Sequence, residues 1–211
     1  MKTTKIGVHH SGPTSPSNPY SSSKNLTESQ INKAHQSRDF NRSNLGYYIG
    51  YNVIIYPDGT WKQYRLLGEQ TAASTGSNFN TFHICLLGNF TVGVDSPTKE
   101  QVASLKSIIA ALIENYPSSI GIKTVAGQQY HFSAYNIFPH RALQPNHTSC
   151  YGSVLGDNWA RDIAFQYLKQ KNSANPFMFK MLSMIADHLN GIRAVWVVGG
   201  SDDSDEGINY L

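Results

Sequence analysis

A histidine and a cysteine lie ten positions apart in Pro139-His140-Arg141-Ala142-Leu143-Gln144-Pro145-Asn146-His147-Thr148-Ser149-Cys150-Tyr151-Gly152. The interval is neither helical nor C-x-x-C, so the pair is not half of a structural zinc finger. The stretch reads as a strand end followed by a Pro- and Asn-broken loop, and a metal held there needs a third ligand from elsewhere. Ile6-Gly7-Val8-His9-His10-Ser11-Gly12 offers one, because an apolar strand runs straight into two histidines. Two imidazoles and a thiolate around Zn²⁺ leave a fourth position open, the feature that separates a catalytic from a structural site. A single histidine on an apolar strand is more often a satisfied core residue than a ligand, so the surrounding elements must carry the case.

Those elements alternate. Ser11 to Lys24, rich in Ser, Pro and Asn, is a surface loop. Thr27-Glu28-Ser29-Gln30 has capping-box spacing, and Ile31, Ala34 and His35 follow at helical intervals, which predicts a helix to about Phe40. Gly50–Tyr56 and Thr60–Arg65 flank Pro57-Asp58-Gly59 and form a hairpin. Phe82–Leu87 is a buried central strand. Thr98 and Gln101 cap a helix with Val102, Leu105, Ile108, Ile109, Leu112 and Tyr116 on one stripe, ending at Pro117. Lys123 to Phe132 supplies one or two strands, Asn136–Pro139 delivers His140, and a last helix over Asp157–Gln170 turns Trp159, Ala160, Ile163 and Tyr167 inward. Helices and strands with one hairpin argue an α/β fold on a mixed central sheet flanked by helices.

With 211 residues, 40% hydrophobic and 15% charged, the chain has an ordinary globular composition sufficient for one well-buried domain. We place that domain at residues 1–170. Residues 171–211 form a C-terminal extension, with a linker at Lys171–Pro176, a helix at Phe177–Leu189, a strand at Ala194–Val198 and an acidic end at Ser201–Glu206. The net charge of +3 is unevenly spread, 14 Lys+Arg against 9 Asp+Glu up to residue 170 and 3 against 5 beyond it. A mildly basic body suits an anionic polymer such as a bacterial wall, whereas no basic cluster with interleaved aromatics points to nucleic acid. No apolar run is long enough to span a bilayer. The first strand begins too soon after Met1 for a secretory leader, so the chain reads as cytoplasmic when synthesised. Of the two cysteines, Cys85 lies in an apolar run and reads as a core thiol, which argues against a disulfide framework.

Five pieces occur in one fixed order: Val8-His9-His10-Ser11-Gly12; Ile49-Gly50-Tyr51-Asn52-Val53-Ile54-Ile55 with Pro57-Asp58-Gly59-Thr60; His83-Ile84-Cys85-Leu86-Leu87-Gly88-Asn89-Phe90; Pro97-Thr98-Lys99-Glu100-Gln101; and His140-Arg141 with Thr148-Ser149-Cys150. The chain thereby resembles, over residues 4 to 168, the zinc-dependent N-acetylmuramoyl-L-alanine amidases of type 2, the group of phage amidase lysozymes and animal peptidoglycan recognition proteins. The resemblance implies that His9, His140 and Cys150 hold Zn²⁺, with His10 on the opposite face of its strand. It implies that Tyr51 orients the attacking water or stabilises the oxyanion, and that Thr148 or His147 assists. Relatives carry histidine where Asn52 stands, which leaves that position open. Tyr151 replaces a proline and is expected to loosen the loop, His35 is structural or adjacent to the site, and Gly127–Tyr135 is expected as an insertion beside the site.

The implied activity is hydrolysis of the amide between N-acetylmuramic acid and L-alanine in bacterial peptidoglycan, as an endolysin that reaches the wall after release. A cytosolic recycling amidase is the alternative, disfavoured because that type tends to use aspartate as third ligand. A peptidoglycan-binding module without catalysis is the other, disfavoured because members that only bind lack a metal-binding residue at the position of Cys150. An enzyme with Cys150 as nucleophile would need orienting partners that the sequence does not supply.

Overall fold

The computed structural model describes residues 2–15, 17–145 and 148–173. By its contacts the chain divides into a unit ending at Tyr167 and a second beginning at Leu168. His147 and all that the sequence suggests for residues 174–211 lie outside the described residues.

The hub is β2 (Lys5–His10), buried along nearly its whole length. It pairs in parallel on one side with β5 (Thr81–Leu86), also buried throughout, and on the other with β7 (Ile137–Pro139). Beyond β5 come β3 (Val53–Ile55), parallel to it, and β4 (Trp61–Gln63), antiparallel to β3. The sheet order is therefore β4-β3-β5-β2-β7. Central parallel strands are covered on both faces and read as continuous apolar runs, as β5 does. A separate two-stranded pair joins β1 (Lys2–Thr3) to β6 (Gln129–Tyr130).

Two helices carry the capping boxes expected of them. In α1 (Glu28–Gln36) Thr27 and Gln30 exchange side-chain and backbone hydrogen bonds, as Thr98 and Gln101 do in α2 (Lys99–Ile113). Helix α1 stops four residues short of Phe40: Ser37 caps it, and Asp39 takes a left-handed backbone at φ 58°. Helix α2 buries Leu105, Ile108, Ile109, Ala111 and Leu112, but Tyr116 lies past its end and is 63% exposed. Gln101 is buried instead, and its amide donates to the carbonyls of Ile55 (3.2 Å) and Leu87 (3.0 Å), closing the ends of β3 and β5. The hairpin forms with shorter strands than its alternation suggests, β3 covering only Val53–Ile55 and β4 only Trp61–Gln63.

The segment expected as an insertion beside the site lies elsewhere. Its strand β6 pairs with β1 at Lys2–Thr3, outside the five-stranded sheet that carries His9. The last helix, α4 (Trp159–Ser173), buries Ala160, Ile163 and Ala164 and leaves Trp159 and Tyr167 half-buried. It continues through Ser173, so the first residues of the expected linker are helical. Among the described residues no helix is long and apolar enough to cross a membrane.

Gly152 shows how tightly the loop after β7 is held. Its φ is +84°, and a Cβ there would stand 2.1 Å from the Phe90 carbonyl oxygen. Left-handed backbone alone costs about 1–3 kcal/mol for a side-chain residue, and the backbone contact adds to it. Gly152→Ala should therefore lower the urea midpoint by at least that equivalent; a variant as stable as the parent would mean that this loop yields freely.

Candidate metal centre

Alternation along β2 puts Gly7 and His9 on one face and Val8 and His10 on the other. Register does the rest. His9 stands opposite Cys85 on β5, and the pairing of Gly7 with Phe138 and Val8 with Pro139 brings His140, the residue after β7, alongside His9. The two rings lie 4.4 Å apart between centroids. His140 opens a four-residue helix, α3 (His140–Leu143), where the sequence suggests only a loop. His10 on the other face accepts the Phe90 N–H on Nδ1 at 2.9 Å and packs on the Phe90 ring.

Cys150 completes the cluster. The His10 backbone N–H donates to its Sγ at 3.3 Å, and the ligand atoms of His9, His140 and Cys150 all lie within 4.8 Å of one another. The loop is gripped by Arg141, whose backbone N–H donates to the Cys150 carbonyl at 2.9 Å. Its guanidinium donates to the carbonyls of Gly152 (2.7 Å) and Leu155 (2.8 Å) and pairs with the Asp157 carboxylate. Tyr151 does not loosen this loop. It is fully buried, its hydroxyl donates to the Gly156 carbonyl at 3.1 Å, and its ring packs between Arg141 and Trp159. A buried aromatic with a satisfied hydroxyl anchors the loop more firmly than a proline's fixed φ would.

Tyr51 stands beside the cluster with its ring 5.1 Å from that of His9. The preceding residue places it: Gly50 donates its N–H to His35 Nδ1 at 3.1 Å, and a Cβ on Gly50 would meet the Ala72 carbonyl at 2.8 Å. His35 thus positions Tyr51 from helix α1, with ring centroids 5.7 Å apart. Next to Tyr51 opens a cavity of about 150 Å³ whose lining includes Gln30, Ala34, His35, Arg38, Tyr51 and Cys85. Thr148 accepts the Cys150 N–H on its hydroxyl at 3.0 Å, which leaves that hydroxyl's own proton available.

Two residues near the centre escape a reading of the sequence. His83 hydrogen-bonds through Nδ1 to His9 Nε2 at 2.8 Å, and both side chains are wholly buried. Asn52 holds the His83 backbone, accepting its N–H on Oδ1 at 2.8 Å and donating its own N–H to the His83 carbonyl at 3.0 Å. The available signal was Gly7, since a glycine within a buried strand marks a close approach. A Cβ there would stand 2.7 Å from His83 Nδ1.

Electrostatically the centre favours neutral imidazoles. Burial holds His9 well below the usual histidine range, reinforced by His83 and His140. Burial also lowers His140, against which Gln144 pulls upward through its hydrogen bond, and it pushes His83 down to about 3. Burial drives the Cys150 thiol up to about 12, opposed by the His10 backbone N–H and Arg141. The Tyr51 hydroxyl is raised well above 10, first by burial and then by Cys85 and Cys150, so it is a hydrogen-bond donor and not a base.

These residues fit zinc. His9 Nδ1 is buried without a hydrogen-bond partner, and the Nε2 atoms of His9 and His140 are engaged by His83 and Gln144, which leaves Nδ1 of each as the nitrogen that could ligate an ion. Two imidazole nitrogens and a sulfur are a zinc donor set. Tetrahedral bonds of about 2.0–2.3 Å put such atoms about 3.4–3.7 Å apart, so a spread within 4.8 Å needs only a small contraction.

Comparison with known proteins bears on the family and the fold. The sequence model described as N-acetylmuramoyl-L-alanine amidase (Amidase_2) matches residues 1–153. No curated protein matches the sequence. Among solved structures, the N-acetylmuramoyl-L-alanine amidase LysC from Clostridium intestinale URNW is 22% identical at a TM-score of 0.51, covering 81% of this chain and 85% of its own. The Ph2119 endolysin from the Thermus scotoductus MAT2119 bacteriophage Ph2119 is 19% identical at a TM-score of 0.52, covering 78% and 86%. At such identities the likeness speaks to the fold, while the sequence match over most of the chain speaks to descent: the protein belongs to the N-acetylmuramoyl-L-alanine amidase family.

Proposed function

We propose that the protein is a zinc-dependent N-acetylmuramoyl-L-alanine amidase acting on bacterial peptidoglycan as an endolysin. The observation that carries this reading is the convergence of His9, His140 and Cys150 within 4.8 Å beside Tyr51, in a chain of that family. Residues 1–170 would be the catalytic part, and residues 171–211 a C-terminal extension to which no role is assigned.

His9 and His140 would hold the ion through Nδ1 and Cys150 through sulfur. Zinc bound there supplies Lewis acidity, polarising the scissile carbonyl and lowering the pKa of a water toward about 7. The chain's own groups do the remainder. Tyr51, kept protonated by burial, donates its hydroxyl to the carbonyl oxygen as that oxygen gains charge. Thr148 has a free hydroxyl proton to add a second donor, a role for which His147 is the alternative. Water adds to the lactyl carbonyl, the C–N bond to L-alanine breaks, and the products are a carboxylate on the glycan and a free amine on the peptide. The cavity next to Tyr51, with the Arg38 guanidinium in its wall, suits a peptide that carries carboxylates.

A thiol nucleophile is disfavoured by a Cys150 whose burial keeps it protonated. A non-catalytic module is disfavoured because a metal-ligating cysteine closes the cluster.

Digestion of purified wall, read by mass spectrometry alongside elemental analysis, tests site and bond together. Stoichiometric zinc and new free L-alanine amino termini are expected; glycan-chain or cross-bridge cleavage instead would refute the assignment. Cys150→Ser should lose most of its zinc and all turnover while its circular dichroism stays native, and stoichiometric zinc in this variant would remove Cys150 from the ligand set. Tyr51→Phe should keep zinc and wall binding while kcat falls roughly 10²–10³-fold, about 2.7–4 kcal/mol. Full turnover in that variant would make Tyr51 a packing residue only.

A further inference from the structure

A metal ligand needs more than the right side chain. An imidazole that ligates through Nδ1 must carry its proton on Nε2, and in isolation the two tautomers and two ring orientations compete. His140 has a local answer in Gln144, one helical turn along, whose Oε1 faces its Nε2 at 3.2 Å. His9 sits inside the sheet and has no such turn. Its Nε2 instead meets His83 Nδ1 at 2.8 Å, with ring centroids 4.9 Å apart.

This contact is built into the strands. His9 faces Cys85 across β2 and β5, so His83, two residues earlier on the same face, is its diagonal neighbour, a distance that aromatic side chains bridge. The residue directly opposite His83 is Gly7. Any Cβ on Gly7 would stand 2.7 Å from His83 Nδ1 and 2.9 Å from Leu143 Cδ1 on α3, so the absent side chain makes the space the ring occupies. Asn52 then fixes the His83 main chain on both sides of its peptide unit. The main chain of His83 is thereby fixed with room for its ring beside His9.

We propose that His83 is a positioning residue for the metal centre: its Nδ1 accepts the His9 Nε2 proton and so holds His9 in the tautomer and orientation that present Nδ1 to the ion. This rests on the reading of His9 as a zinc ligand. His83 itself does not join the convergent ligand atoms. Partners of this kind are worth roughly 10–100-fold in metal affinity.

The test is zinc affinity by chelator competition on the full chain, with circular dichroism and the Tm of the metal-free protein as fold controls. His83→Leu, which fills the space without an acceptor, should weaken zinc binding roughly 10–100-fold. His83→Asn, whose amide can offer an oxygen near the place of Nδ1, should stay within a few-fold of the parent. Equal affinity in the parent and His83→Leu overturns the positioning role, as does an equal loss in His83→Leu and His83→Asn. Imidazole ¹⁵N spectra of the metal-free parent need no variant: His9 should show a protonated Nε2 and a bare Nδ1, and the reverse tautomer overturns the proposal even where a variant does not fold. A parent that binds no zinc, or His9→Ala binding it as tightly as the parent, refutes the metal reading itself, an outcome distinct from failure of His83 alone.

Discussion

A buried nitrogen without a partner is the constraint around which the centre is organised. Leaving a buried polar group unsatisfied costs about 1–3 kcal/mol, and His9 Nδ1 is such a group in a residue that is wholly buried. Rotating the ring to relieve it would break the bond to His83, and exposing it would tear β2 from its neighbours. The fold therefore carries a buried defect that a bound cation would remove, and binding of such an ion and local stability would then be two aspects of one free energy. Burial raises the Cys150 thiol as well, to about 12.

The sheet makes this defect tolerable by dividing its labour between faces and ends. β2 has a strand on each side, β5 along its whole length and β7 from Ile6 to Val8, so most of its backbone is paired whatever its side chains do. Of its residues, Ile6 and Val8 are wholly buried core, while Gly7 and His9 on the other face serve the centre. Chemistry gathers at the carboxyl ends of β2 and β7, where parallel strands leave a crevice beyond their last residues. At the carboxyl ends of β3 and β5, Gln101 ties two strand-end carbonyls to α2.

Much of this was legible in the sequence. The caps at Thr27 and Thr98, the central strand and the hairpin follow from local rules that the tertiary structure did not override. The convergence of His9, His140 and Cys150 was legible only as a pattern matched to a family, since nothing in the spacing of residues 9 and 140 encodes parallel pairing of β2 with β7. Gln101 was read as a cap and is also a strap, because capping geometry says nothing about which way the amide's other end points. Tyr116 failed as part of an apolar stripe because its helix ended before it. His83 escaped for a physical reason as well. Within an apolar run a histidine looks like any core residue, and only the register of two strands shows that it stands against a glycine and reaches a ligand.

Arg141 follows the first residue of α3 and grips the chain on both sides of Cys150, through its own N–H on the Cys150 carbonyl and its guanidinium on Gly152, Leu155 and Asp157. The separation between His140 and Cys150 is thus set by one side chain acting as a short cross-brace, and not by the path of the residues that join them. Evolution is free to rewrite or lengthen the stretch around Pro145 without renegotiating the geometry of the centre.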